Sequence, residues 1–110
     1  MNFDEYQAAA RRTLPPHQST NAAYQHMIFG LLGELGEVTD LLKKHMYHMH
    51  DLSKPKLREE LGDLLWYVSN LASIANLSLD DIGRQNERKL EARYPDGFDS
   101  QRSIHRKEEC

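Results

Sequence analysis

A single cysteine, Cys110, rules out a disulfide framework within the chain and points to a reducing compartment. No apolar run approaches the ~20 residues that a bilayer crossing needs. The opening Met1-Asn2-Phe3-Asp4-Glu5 lacks the basic and apolar segments of an export signal. The expectation is therefore a cytoplasmic protein with no membrane partner. Basic charge is not in excess either: the formal net charge is -3, which leaves no overall positive footprint for nucleic acid. Strand-like alternation is missing over any useful length, as are internal repeats and low-complexity tracts. What is present is a globular balance of 39% apolar and 28% charged residues in 110 residues, enough for one core and too few for two. One all-helical domain over residues 1–98, followed by a polar tail over 99–110, is the expected organisation.

Four stretches carry helical periodicity. The first runs from about Phe3 to Leu14 and is stopped by Pro15-Pro16, because proline lacks an amide proton and restricts the residue before it. His17-Gln18-Ser19-Thr20 supplies a linker and a cap. The second runs from about Thr20 to the region of Met46, with Tyr24, Ile28, Leu31, Leu35, Val38 and Leu42 forming an apolar stripe expected to be buried. At ~1.5 Å per residue such a helix is ~40 Å long, more than a small globule needs unless other helices or a second subunit cover it. Ser53 and Pro55 begin a third helix, whose core face is Leu57, Leu61, Leu64, Leu65, Val68, Leu71 and Ala75. A fourth follows a Ser78 cap and the first-turn acids Asp80 and Asp81, and reaches Arg93 before the turn Tyr94-Pro95-Asp96-Gly97-Phe98. The tail from Asp99 is expected to be extended or only partly ordered.

The chemistry is concentrated in two acidic pairs. Helix two contains Gly33-Glu34-Leu35-Gly36-Glu37 and helix three Glu59-Glu60-Leu61-Gly62-Asp63. A separation of three residues leaves side chains ~60° apart around a helix, so Glu34 shares a face with Glu37, and Glu60 with Asp63. Isolated pairs of this kind are usually solvated, but these two lie on consecutive helices, beside glycines and within apolar stretches. Lys43 and Lys44 come too late to neutralise them at helical spacing. If the connector after His45 folds the helices antiparallel, four carboxylates meet, a set of hard oxygen donors suited to Mg²⁺ or Mn²⁺. Gly30 and Gly33 are expected to leave room for a ligand or a close crossing, and Gly36 and Gly62 to serve close packing, since each costs ~1 kcal/mol relative to alanine.

Glu34-x-x-Glu37, twenty-two intervening residues and Glu60-x-x-Asp63, followed by Leu64-Leu65-Trp66-Tyr67, closely resembles the signature of the MazG-like, all-α nucleoside triphosphate pyrophosphohydrolases. The likeness runs from about Ala22 to Phe98. It implies a four-helix core that oligomerises through its long helices as a homodimer or homotetramer, with Glu34, Glu37, Glu60 and Asp63 as magnesium ligands of a site that cleaves a nucleoside triphosphate to monophosphate and pyrophosphate. It also gives the fourth helix a role: Asn86, Lys89 and Arg93 fall on one face, where a lysine and an arginine would hold phosphate oxygens. Tyr24, His26, Trp66, Tyr67 and Tyr94 are candidates for stacking on a base, with His26 and Tyr94 the ones expected to touch substrate. His45, His48 and His50 are expected to belong to a mobile connector rather than a soft-metal site. Two other readings fit less well: a phosphoribosyl-ATP pyrophosphohydrolase, and a helical interaction or regulatory dimer without catalysis.

Overall fold

The structure is a computed structural model and describes residues 1–106; the expectation for Cys110 and the end of the tail lie outside them. Five helices follow in order: α1 (Phe3–Arg11), α2 (Thr20–Tyr47), α3 (Lys54–Ile74), α4 (Leu79–Arg93) and the short α5 (Ser100–Ile104). The all-α reading is correct.

Each start has a chemical cause. The side chains of Asn2, Ser19, Ser53, Ser78 and Asp99 accept the backbone N–H of Glu5, Ala22, Lys56, Asp81 and Gln101, satisfying donors that the first helical turn leaves free. Pro55 sits in the first turn of α3, where its missing N–H costs nothing. The ends are equally specific. Asn76 adopts a left-handed φ of 58°, and the N–H groups of Asn76 and Leu77 return to the carbonyls of Ser73 and Ala72, a closure that satisfies the last carbonyls of α3. After α2, the N–H groups of His48 and His50 both donate to the Lys44 carbonyl while Met49 takes a φ of 59°. Helix α1 stops at Arg11, short of the expected Leu14, because Arg12 to Leu14 tighten into turns ahead of the proline pair.

The register between helices can be read from pairs of residues. Gly30 lies against Tyr67 and Glu34 reaches Glu60 and Asp63, so α2 and α3 are antiparallel. Gln7 meets Ser73, Ala10 meets Asn70 and Thr13 meets Trp66, so α1 is antiparallel to α3 as well. Helix α4 packs on α1 and α3. Gln7 is the buried link among three of these helices: its Nε2 donates to Ser73 Oγ at 3.0 Å and to the Leu77 carbonyl at 2.9 Å, and its Oε1 accepts the Leu79 N–H at 2.8 Å.

Two expectations need correction. Of the α2 stripe only Val38 is buried, while Ile28, Leu35 and Leu42 are exposed; on α3 none of the seven predicted core residues is fully buried, and Leu61, Leu65 and Val68 are exposed. A helix buries its apolar face only against a second layer, and the described residues supply none there. The glycines divide differently from the prediction too. A Cβ at Gly30 would overlap the Tyr67 ring, so Gly30 serves the close crossing that was one of its two expected roles, whereas Gly33, Gly36 and Gly62 face open space among the described residues. In addition, the segment after Asp99 is not wholly extended, since Ser100–Ile104 forms a capped turn of helix.

Candidate metal centre

The α2–α3 crossing sets the site. With no side chain on Gly30, the Tyr67 ring lies directly against α2, and one turn further along both helices the acids come face to face. Carboxylate oxygens of Glu34, Glu60 and Asp63 all lie within 4.8 Å of one another. Glu60 is buried, Glu34 half-buried and Asp63 exposed, so the group has a protein-lined floor and an open mouth. Glu37 stays outside this trio, exposed on the next turn of α2, though its charge still acts on Glu34.

The electrostatics follow from that crowding. The Glu34 carboxyl is pushed up to about 7, chiefly because it shares a hydrogen bond with Glu60; loss of solvent and the charges of Asp63, Glu60 and Glu37 add to it. Among the described residues no cation pairs with the trio: Lys43 and Lys44 pair with Asp40 instead, at 3.5 and 2.8 Å. The only other ion pair among the described residues is Arg84 with Asp80. Three carboxylates held together without a counter-charge, in an oxygen-only donor set, fit a small hard divalent cation.

The remaining predicted residues are more dispersed. On α4, Asn86 and Lys89 are exposed, Arg93 is half-buried with its Nε lacking a partner, and none of the three bonds to the acids. Tyr94 stacks at a tilt on Phe98, with ring centroids 5.4 Å apart, and lines an open groove of about 630 Å³ with Asn86, Leu90 and Phe98. His26 is half-buried beside Tyr67. His45, His48 and His50 do not converge on a common ligand point among the described residues; His45 Nδ1 contacts the His50 carbonyl.

Two residues near the site were not singled out from sequence. Tyr6 of α1 is half-buried, and its hydroxyl pKa is raised by burial and by the charge of Asp63. His17, in the linker, meets His26. Helical periodicity in α1 marks Tyr6 as an inward residue, but no motif announces either one.

The family model of the MazG nucleotide pyrophosphohydrolase domain matches residues 22–98, more than half of the chain. The chain belongs to this family. The MazG match begins in α2 and ends at the turn after α4, taking in both acidic pairs and the basic face of α4 while leaving α1 and α5 outside. A relative, the Gene 37 protein of Mycobacterium phage L5, is 30% identical over 105 residues, covering 88% of this chain and 92% of that protein. No solved structure matches the chain. Among the described residues no helix is long and apolar enough to cross a membrane.

Proposed function

We propose that this MazG-domain chain is a Mg²⁺-dependent nucleoside triphosphate pyrophosphohydrolase that acts as a homodimer and clears unwanted nucleotides from the pool. The reaction is (d)NTP + H₂O giving (d)NMP and pyrophosphate. The observation that carries the reading is the meeting of Glu34, Glu60 and Asp63 from two helices, with no cation paired to them among the described residues. A bound divalent ion would supply Lewis-acid polarisation of phosphate oxygens and a more acidic coordinated water.

The chain's own residues do the rest. Glu34, Glu60 and Asp63 hold the ion, with Glu37 completing the set or orienting the attacking water from its exposed position beside them. Lys89 and Arg93, neither paired with an acid among the described residues, are assigned the β and γ phosphate oxygens, with Asn86 on the same face. The fork of Arg93 favours two oxygens at once, and the ammonium of Lys89 acts as a point charge. His26 and Tyr94 are assigned to the nucleoside.

The homodimer rests on surface area. The chain exposes 8628 Å². A compact monomer of its mass exposes roughly 6,300 Å². Large apolar side chains of α2 and α3 contribute to the surplus: Phe29 is 69% exposed, Leu32 62%, Leu35 53% and Leu61 48%.

The test is turnover of a panel of triphosphates with Mg²⁺, with products identified. Pyrophosphate and monophosphate are expected, and Glu60→Gln or Asp63→Asn should lower kcat by at least about a hundredfold while leaving the helical signal in place. Release of orthophosphate, or full activity in both variants, would overturn the reading, and no turnover of any triphosphate would favour a helical dimer without catalysis.

A further inference from the structure

The linker between α1 and α2 is pinned to the bundle at two points. The Trp66 indole N–H donates to Thr13 Oγ1 at 2.7 Å, and His17 Nε2 lies 2.8 Å from His26 Nδ1. Between these points Pro15-Pro16 limits the backbone, so His17 is held over α2 rather than waving above it. His17, His26, Tyr67 and Trp66 form a series of ring contacts: the centroids of His17 and His26 are 5.1 Å apart, those of His26 and Tyr67 6.1 Å and those of Tyr67 and Trp66 4.9 Å. Tyr67 is one turn from Asp63 on α3. His26 precedes Glu34 by two turns, a rise of ~12 Å along α2. That is the reach of a nucleoside whose phosphates sit at the acids.

A contact between two imidazole nitrogens requires one to donate and the other to accept. His17 and His26 make no other hydrogen bond among the described residues, so their outer nitrogens, His17 Nδ1 and His26 Nε2, are free. The shared contact couples what those nitrogens offer. When His26 Nδ1–H donates to His17 Nε2, the His26 Nε2 is a lone-pair acceptor and the His17 proton sits on Nδ1. When His17 Nε2–H donates to His26 Nδ1, the His26 Nε2 carries a proton and is a donor. Passing between the two moves one proton across the contact, releases one from His17 Nδ1 to water and takes one from water at His26 Nε2. Both rings stay neutral throughout.

Resting on the pyrophosphohydrolase reading above, we propose that His17 and His26 form a coupled base-reading pair that accepts either an amino or an oxo group at the same edge of the nucleobase. The amino group of a cytosine-type ring finds the acceptor form, and the oxo group of a uracil-type ring finds the donor form. The enzyme therefore takes both classes with similar efficiency, as suits a chain that clears a range of nucleotides. His17 is a positioning residue here: it touches His26 and sets what His26 presents.

The test reads the rings directly. Nitrogen-15 spectra of the imidazoles are recorded on the full chain, free and saturated with dCMP or dUMP, two ligands that differ at that edge. His26 is expected to carry its proton on Nδ1 with dCMP and on Nε2 with dUMP, with His17 switching in step. The same His26 tautomer in both complexes, or no response of either ring, would overturn the pair. Kinetics give a second reading. Replacing His17 by Phe strips His26 Nδ1 of its partner in both forms, and because an orphaned N–H is tolerated less well than an unfilled lone pair, the form protonated on Nδ1 is the more disfavoured. The preference for dUTP over dCTP in kcat/KM should therefore rise about tenfold in His17→Phe. His17→Gln, whose amide can turn to donate or accept, should keep the ratio near that of the unaltered protein. An unchanged ratio in His17→Phe counts against the proposal. Failure of the unaltered chain to release pyrophosphate from any triphosphate would sink the hydrolase reading instead, while the imidazole spectra would still decide this one.

Discussion

At the scale of single residues, Glu34 carries the most consequential chemistry. Its folded value of about 7 lies above the ordinary 4.5, so between those two pH values the folded chain binds more protons than the unfolded one. The stabilising contribution of the protonated form is complete below about pH 4.5 and is lost as pH rises through about 7. A divalent ion bound there would reverse that trend because it would take the proton's place. Mg²⁺ should accordingly bind about tenfold more weakly at pH 6 than at pH 8, as one proton must leave for each ion bound. Titration calorimetry on the full chain checks this, and Glu34→Gln should flatten the dependence; equal affinity at the two pH values would mean that the Glu34–Glu60 contact does not govern the site.

At the scale of elements, the caps and acid spacing explain why so much was readable in advance. Ser19, Ser53 and Ser78 each precede a helical apolar pattern, and each proves to be a cap. The two acid-x-x-acid pairs announce their faces because helical geometry is local, and an antiparallel α2–α3 turn was enough to bring Glu34 to Glu60 and Asp63. Glu37 shows where locality ends: it shares a helix face with Glu34, yet the crossing at Gly30 and Tyr67 decides how many acids meet, and that depends on a contact between residues far apart in sequence. The His17–His26 contact was hidden for the same reason, since a proline-bounded linker carries no periodicity to follow. Gln7 is the sharpest instance, a polar residue in a short helix that turns out to tie α1 to the junction of α3 and α4. Gln7→Ala would leave the buried Leu79 N–H without an acceptor and open a small void, a loss of about 2 kcal/mol or more. Thermal or urea unfolding of the variant reads this, and a midpoint equal to that of the unaltered protein would show that water replaces the amide at no cost.

At the scale of the whole molecule, what sequence periodicity could not tell was which partner covers each apolar face. The reading assigned Tyr24, Ile28, Leu31, Leu35, Val38 and Leu42 of α2 to a core, but of these only Val38 is buried; Ile28, Leu35 and Leu42, joined by Leu32, keep to one side of a 28-residue helix and remain exposed with Phe29 and Met46. The radius of gyration is 17.1 Å. A compact chain of this length has about 13 Å. Pairing two copies through α2 and α3 would hide these residues, and Gly33, Gly36 and Gly62, which face open space in the protomer, would let the backbones of the two copies approach. A charge in that layer has no partner and must be desolvated, at a cost of several kcal/mol for each copy. Leu32→Glu should therefore convert the proposed dimer to monomer in sedimentation at micromolar concentration, and, because α2 would lose the layer proposed to stiffen it next to Glu34, Mg²⁺ affinity should fall with it. A variant that sediments as the unaltered chain does would place the contact between copies elsewhere, while an unaltered chain that is itself monomeric would leave the exposed apolar face of α2 to a different protein.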